Sequence, residues 1–400
     1  MPDSIEQHSA AGGARGAHAT SRPFGGLIDA VIVPSPTSFD FDGAVAAKHA
    51  EAAWVWMHRD LAPDLLGDLP DDEEAARALI DGHVPVLLQR AKAAIADAAN
   101  KPESLRRIKV QFGGEPAWLR LPVVLQALKC RAILEKAQVF GRAANSMTDE
   151  AALGLALQSM PLTDAAVTAL LMHVAVGQVS NPSRLTTAVL RIAGSASEGP
   201  VHRAGFSPLI DAMLSHAQAQ LPALDQIGAF ADIDLVCRSV DRFHRLVRAV
   251  SGYLELGRFS RWAMIIAGLT KTMSELIEPK LANVAPDVNR ALRRRGDGLP
   301  DRIDSDQLLQ ALNGCYILAT VRDCRDSLAL NALFEKTWTQ VGQTIELHMQ
   351  RNLDAFRANP ADHIAAERLD ATIKMAELRF NTEYADVIRK ARDSAERRAG

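Results

Sequence analysis

From Asp42 to the C-terminus the apolar residues recur at spacings of three and four, and almost nowhere do they alternate. That spacing places them along one side of an α-helix, whereas a half-buried strand needs a period of two. The pattern is clearest near the C-terminus. Leu330, Phe334, Trp338, Val341, Ile345, Met349 and Phe356 form one stripe, and Leu369, Ile373, Ala376, Phe380, Val387 and Ala391 form a second, with Asn359-Pro360 between them. Trp338 reads as core. The second stripe loses its heptad register at Glu383, which argues against a long coiled coil. Its charged side, Glu367, Arg368, Glu377, Arg379, Arg389 and Arg392, reads as a solvated face. The fold expected is all-α: a multi-helix bundle or irregular helical stack in two or three sub-bundles, with a disordered N-terminal tail. No fixed-period helical repeat is visible.

The punctuation of the chain gives approximate element ends. LIDAVIV at 27–33 is the one β-like run and reads as an extended lead-in. A helix is expected over 44–61, with Trp54 and Met57 on a shared face. Asp71 is expected to cap a helix whose first turn carries DDEE, where carboxylates oppose the positive end of the dipole. Pro85 should kink or split that helix, which otherwise runs to about Asn100. QFGGEPAW at 111–118 reads as a loop, Pro122 as the start of the next helix, and Thr148 and Thr163 as further caps. AGSASEGPVHRAG at 193–205 is the strongest linker candidate, and RRRGDGLPDRIDS at 293–305 a second break. The expected layout is therefore a tail at 1–25, an N-terminal helical domain at 26–195, a central helical segment with a basic face at 206–295 and a C-terminal long-helix segment at 304–400.

Composition excludes several classes. A chain of 400 residues with 48% hydrophobic and 23% charged residues is neither disordered throughout nor a disulfide scaffold. At this length two or three packing units are expected rather than one core. Ala makes up roughly a sixth of the chain and Arg outnumbers Lys about threefold, a bias that favours helix. The N-terminal 26 residues hold no apolar core and read as a tail rather than a secretory signal, and no apolar run is long enough to span a bilayer. The four cysteines, Cys130, Cys237, Cys315 and Cys324, form no CxxC pair and sit among helical apolar neighbours; they read as reduced thiols in a cytoplasmic protein, with no metal site among them.

The net charge of −3 gives no global attraction to nucleic acid or anionic lipid. Its distribution is uneven: residues 1–100 sum to −8 and residues 238–297 to +6. The basic excess centres on DIDLVCRSVDRFHRLVRAV at 232–250, where Arg238, Arg242 and Arg245 fall on one helical face, flanked by Arg248 and His244. Arginines so arranged suit carboxylates or phosphates, on a partner protein, a small anion or another helix. These four arginines are the candidate binding residues. The DDEE run reads as capping rather than as a magnesium-diphosphate motif, because only 5% of the residues are aromatic and no second Asp-rich face is convincing. His173, in LLMHVAV, reads as a hydrogen-bonded core histidine. There is no HExxH, GxSxG, Walker loop or GxGxxG after a strand.

No catalytic residue, cofactor or metal is expected on these grounds. The leading expectation is a non-catalytic cytoplasmic helical adaptor or regulatory protein that works through a protein partner or through self-association, with no membrane partner. The alternative is an all-α enzyme acting on a phosphate- or carboxylate-bearing small molecule. A nucleic-acid-binding protein is the third reading, and the mixed charge argues against it.

Overall fold

The computed structural model describes residues 22–226, 228–294 and 302–399. Among them are sixteen α-helices and two strands of two residues each, so the all-α stack expected from the periodicity is the observed architecture. The chain divides into two compact units, one of residues 1–32 and 45–131, the other of 33–44 and 132–400. The expected tail reached residue 25. Residues 1–21 lie outside the described residues, but Phe24 is fully buried edge-on against Trp54, ring centroids 5.3 Å apart, so the core begins before residue 25.

LIDAVIV is only marginally extended. It forms a 3₁₀ turn at Asp29–Val31 and then strand β1 (Ile32–Val33); β2 (Val45–Ala46) follows. In the first unit α1 (Ala47–Trp56) continues through a π-helical turn at Met57–Leu61 into α2 (Pro63–Leu66). Trp54 and Met57 are buried together, as their spacing implied. The long α3 (Glu73–Asn100) runs unbroken through Pro85. The proline costs one backbone hydrogen bond, but Ile80, Val84, Leu87 and Ala91 bury one side on both flanks of it, and that burial outweighs the loss. Arg90 ties α3 to Asp64 of α2 with a bidentate pair at 2.5 and 2.8 Å. After α4 (Pro102–Gln111) the expected eight-residue loop shrinks to Phe112–Gly114, because Gly113 and Gly114 take positive φ of 71° and 137° and turn the chain at once. Helix α5 (Glu115–Ala144) starts there, so Pro122 lies inside a helix rather than opening one.

The second unit comprises α6 (Glu150–Gln158), α7 (Ala165–Gln178), α8 (Ser183–Ala193), α9 (Glu198–Arg203), α10 (Ser207–Gln218), α11 (Ile233–Ser251), α12 (Arg261–Leu292), α13 (Ser305–Cys324), α14 (Asn331–Ala358), α15 (His363–Arg379) and α16 (Thr382–Ala399). Helix α7 is enclosed: Val167 to Val176 are all buried, as expected of a helix apolar on every side. Gly141 of α5 permits close packing there, since a Cβ would lie 2.5 Å from the Ala175 carbonyl oxygen of α7. α7 packs on α10, α10 on α11 and α11 on α13, while α12 packs on α13 and α14, and α14 on α15. The expected linker at 193–205 is structured: it contains α9, and Val201 and Phe206 are fully buried in this unit's core. The units divide at residues 131 and 132 instead, within α5.

Six helix starts share one device. Asp72, Asp149, Asp164, Asp232, Asp304 and Asp362 each cap a helix by accepting a backbone N–H. The caps expected at Asp71, Thr148 and Thr163 thus each move one residue on, to an aspartate whose charge also meets the helix dipole. On the C-terminal stripes Phe334, Val341, Ile345, Met349, Phe356, Leu369, Ile373 and Ala376 are buried. Three expectations fail there. Trp338 is half-buried, with the guanidinium of Arg379 4.0 Å from its ring centre. Arg368 is fully buried and donates to the Arg302 carbonyl, because α15 is covered on more than one side. Val387 is exposed, since the chain breaks at Phe380 and α16 restarts in a different phase.

Candidate functional site

The arginine face of α11 divides into three environments. Arg238 and Arg245 pair with Asp234 and Asp241 one turn earlier on the same helix, at 3.0 and 2.9 Å. Both pairs are exposed and contribute little to stability. Arg242 is drawn inward. Its Nη1 donates to the Val179 carbonyl at 2.6 Å and its Nη2 to the Val176 carbonyl at 2.8 Å, at the C-terminal end of α7. A cation there meets carbonyls at the negative end of the α7 dipole, the Val176 oxygen also accepting from Val179 N–H at 3.2 Å. Burial lowers the Arg242 pKa, and the nearby Arg245 charge adds to that. Arg248 is exposed at the end of the helix, and a Cβ at Gly252 would lie 3.5 Å from its Nη2. Of the four candidate residues, then, two are paired along the helix, one locks α7 to α11, and one stands at a corner.

That corner, between α11 and α12, concentrates the interaction chemistry. Leu254 and Trp262 anchor it in the core. Its backbone is pinned from outside: Glu255 N–H donates to the Ala196 carbonyl and Gly257 N–H to Glu198 Oε1, both at 3.0 Å, and Ser197 Oγ donates to Glu255 Oε2 at 3.0 Å. On either side of these ties Tyr253, Phe259 and Met264 are 45%, 85% and 61% exposed. The Arg258 guanidinium lies 5.9 Å over the Phe259 ring. The result is a fixed loop presenting Tyr253 and Phe259 beside Met264 of the first turn of α12, with Arg248 and Arg258 as two cations.

A polar cluster lies behind Arg242. His173 of α7 and His216 of α10 stack with ring centroids 4.1 Å apart and planes 11° off parallel. His216 Nε2 donates to the His173 carbonyl at 2.7 Å, which fixes its tautomer because a carbonyl only accepts. Burial pushes the His216 imidazole down to about 4, the Arg242 charge adding to this and the carbonyl bond opposing it. Burial, with His216 beside it, pushes His173 well below its ordinary value too. His173 is core, as expected, but its Nδ1 has no hydrogen-bond partner among the described residues.

A cleft near α10 holds a second set of titratable groups. Asp40, Phe41, Asp42, Leu162, His202 and Asp211 are among its walls. His202 Nδ1 lies 2.8 Å from Ser207 Oγ. Asp211 Oδ1 accepts from Trp262 Nε1 at 2.8 Å and from Arg261 Nη1 at 2.7 Å, and burial raises its pKa in spite of both donors. Among the described residues no three His, Cys, Asp or Glu side chains gather as ligands for a metal ion. The four cysteines are free, and burial holds Cys315 and Cys324 at about 12, far from reactive thiolates. No helix of the described residues is long and apolar enough to cross a membrane.

Sequence reasoning found Arg248 but not the aromatic corner beside it. GRFSRW contains its residues, yet nothing in that string distinguishes Phe259 in solvent from Trp262 in the core. No protein-family model matches this chain, no curated protein matches it, and no solved structure matches its fold.

Proposed function

We propose that this chain is a non-catalytic cytoplasmic adaptor or regulatory protein that docks a partner protein on the corner between α11 and α12. The observation that carries the reading is Phe259, 85% exposed on a loop tied down at both flanks. Aromatic residues, Met and Arg supply much of the energy of protein interfaces, and a loop already fixed loses little entropy on binding. The partner segment would bear apolar residues for Tyr253, Phe259 and Met264 and a carboxylate for Arg258 or Arg248. The four free cysteines agree with a reducing compartment. Nucleic acid is not the proposed partner, because Arg238 and Arg245 are neutralised within α11 and Arg242 is spent on α7.

The test compares wild-type protein with Phe259→Ala and Arg258→Ala as baits, and with Leu155→Ala, which removes an exposed apolar side chain on α6. All three variants should keep the wild-type melting temperature. A partner retained by wild type and Leu155→Ala but lost from the two corner variants is the expected result. The same captured proteins from all four baits would refute the reading.

The second reading, an all-α enzyme, rests on the cleft with its desolvated Asp211 and the His202–Ser207 contact. Three carboxylates there oppose the phosphate- or carboxylate-bearing substrate anticipated from the sequence, so a substrate of this cleft would be neutral or cationic. Turnover lost in Asp211→Asn with the fold retained would favour this reading over the first.

A further inference from the structure

A second cavity opens between the loop before α11, α12 and α13, about 330 Å³ in volume. That is within the range of sites for small organic molecules. It is separate from the docking corner, since Met264 and Lys280 are sixteen residues apart on α12, about 24 Å at 1.5 Å per residue. Its lining is largely apolar, with Leu224, Val236, Leu276, Val284 and Ile317 contributing, and Gly314 of α13 faces Val284, which a Cβ would approach to 3.2 Å.

Among the polar groups of this lining, Lys280 and Asn313 bear most on what the cavity accepts. Lys280 Nζ donates to the Gln226 carbonyl at 2.6 Å, and among the described residues no carboxylate lies within the 4.0 Å of an ion pair. Its ammonium is partly buried with one neutral acceptor for three N–H groups, and burial lowers its pKa against the opposing effect of Asp225. Asn313, 8% exposed, donates Nδ2 to the Ala229 carbonyl at 3.0 Å, which uses one of its two N–H groups. Three acids also line the cavity, and each is paired or faces water: Asp287, largely buried, pairs with Arg290 at 3.0 Å and accepts from Gln310, Glu275 lies 3.8 Å from Lys271, and Asp225 is exposed. An ammonium in a largely apolar wall, with no ion-pair partner among the described residues and two of its N–H groups unused, is stabilised by an anion that brings its own apolar body.

We infer that this cavity binds an organic monocarboxylate, with its carboxylate on Lys280 and the Asn313 amide and its hydrocarbon body against Val236, Val284 and Ile317. A carboxylate on Lys280 adds a charge-assisted hydrogen bond that an alcohol or amine with the same tail cannot supply.

The experiment titrates full-length protein with octanoate, octan-1-ol and octylamine, which share a tail and differ in head group. Octanoate should bind at least about tenfold more tightly than either of the others, the factor expected for one hydrogen bond to a charged group. Lys280→Gln should lose about that factor for octanoate alone, and Lys280→Arg should retain most of it. Methyl resonances of Val236, Val284 and Ile317 should shift on adding octanoate to wild-type protein, a measurement that does not depend on the variants folding. Equal affinities for octanoate and octylamine, unshifted methyls at millimolar octanoate, or a folded Lys280→Gln protein that binds octanoate unchanged would each overturn the assignment.

Discussion

Lowering the pH from about 7.5 to 5.0 should destabilise this protein, and His173 and His216 should account for much of the loss. In an unfolded chain each imidazole takes up a proton near its ordinary 6.5, whereas in the fold burial holds His216 at about 4 and His173 well below 6.5. Between these values the unfolded state binds more protons than the folded one, so stability falls as pH falls. The full contribution is present above 6.5 and drains as pH drops towards 4. At pH 5.0 the His216 shift corresponds to a loss of about 2 kcal/mol, at about 1.4 kcal/mol per pH unit. Water reaches part of His216, so this is an upper figure for that ring. His173, buried against Phe41 and His216 with its Nδ1 unpartnered, is shifted the same way and adds to the loss. The nearest fixed charge is Arg242, which makes a second cation there less favourable still. The assay is urea unfolding at both pH values and one ionic strength, on wild type and on His216→Gln, whose amide can still donate to the His173 carbonyl. Wild type should lose stability on acidification and His216→Gln should lose about 2 kcal/mol less. Other buried histidines, His49, His244 and His348, titrate in both proteins and cancel in that comparison. An identical pH dependence in the two proteins would refute the reasoning.

Arg242→Met keeps the length of the side chain and removes both bonds to the end of α7; it should cost about 2–4 kcal/mol in urea unfolding, with the order of effect Arg242 far above Arg238 and Arg245. Gly141→Leu drives a side chain into the Ala175 carbonyl and should lower stability by about 1–3 kcal/mol or more, measured by thermal melting. Trp338→Ala should cost roughly 2 kcal/mol, less than a fully buried tryptophan, and Trp338→Phe should recover most of it by restoring a ring beneath Arg379.

Helix was legible because it is a local, periodic property. The spacing of Phe334, Val341 and Ile345 puts one face of α14 in the core whatever it packs against, and the expected stripes are buried there. Breakpoints were legible where the backbone chemistry is decisive, as at Gly113 and Gly114 and at Asn359-Pro360 between α14 and α15. Prolines misled, since Pro85 and Pro122 are carried inside helices that bury enough surface on both sides to absorb a lost hydrogen bond.

What the sequence could not determine is which of two faces a long polar side chain takes once several helices surround it. Arg238, Arg242 and Arg245 are equivalent in spacing, yet only Arg242 meets the end of another helix, 63 to 66 residues away in the chain. Arg368 belongs to a charged face in sequence and to the core in space. His173 and His216, 43 residues apart, become one stacked pair only because α7 and α10 pack side by side. Periodicity assigns residues to faces of one helix, whereas burial, pKa and pairing depend on which faces of other helices meet them. That is settled by long-range packing, to which no local repeat in the chain corresponds.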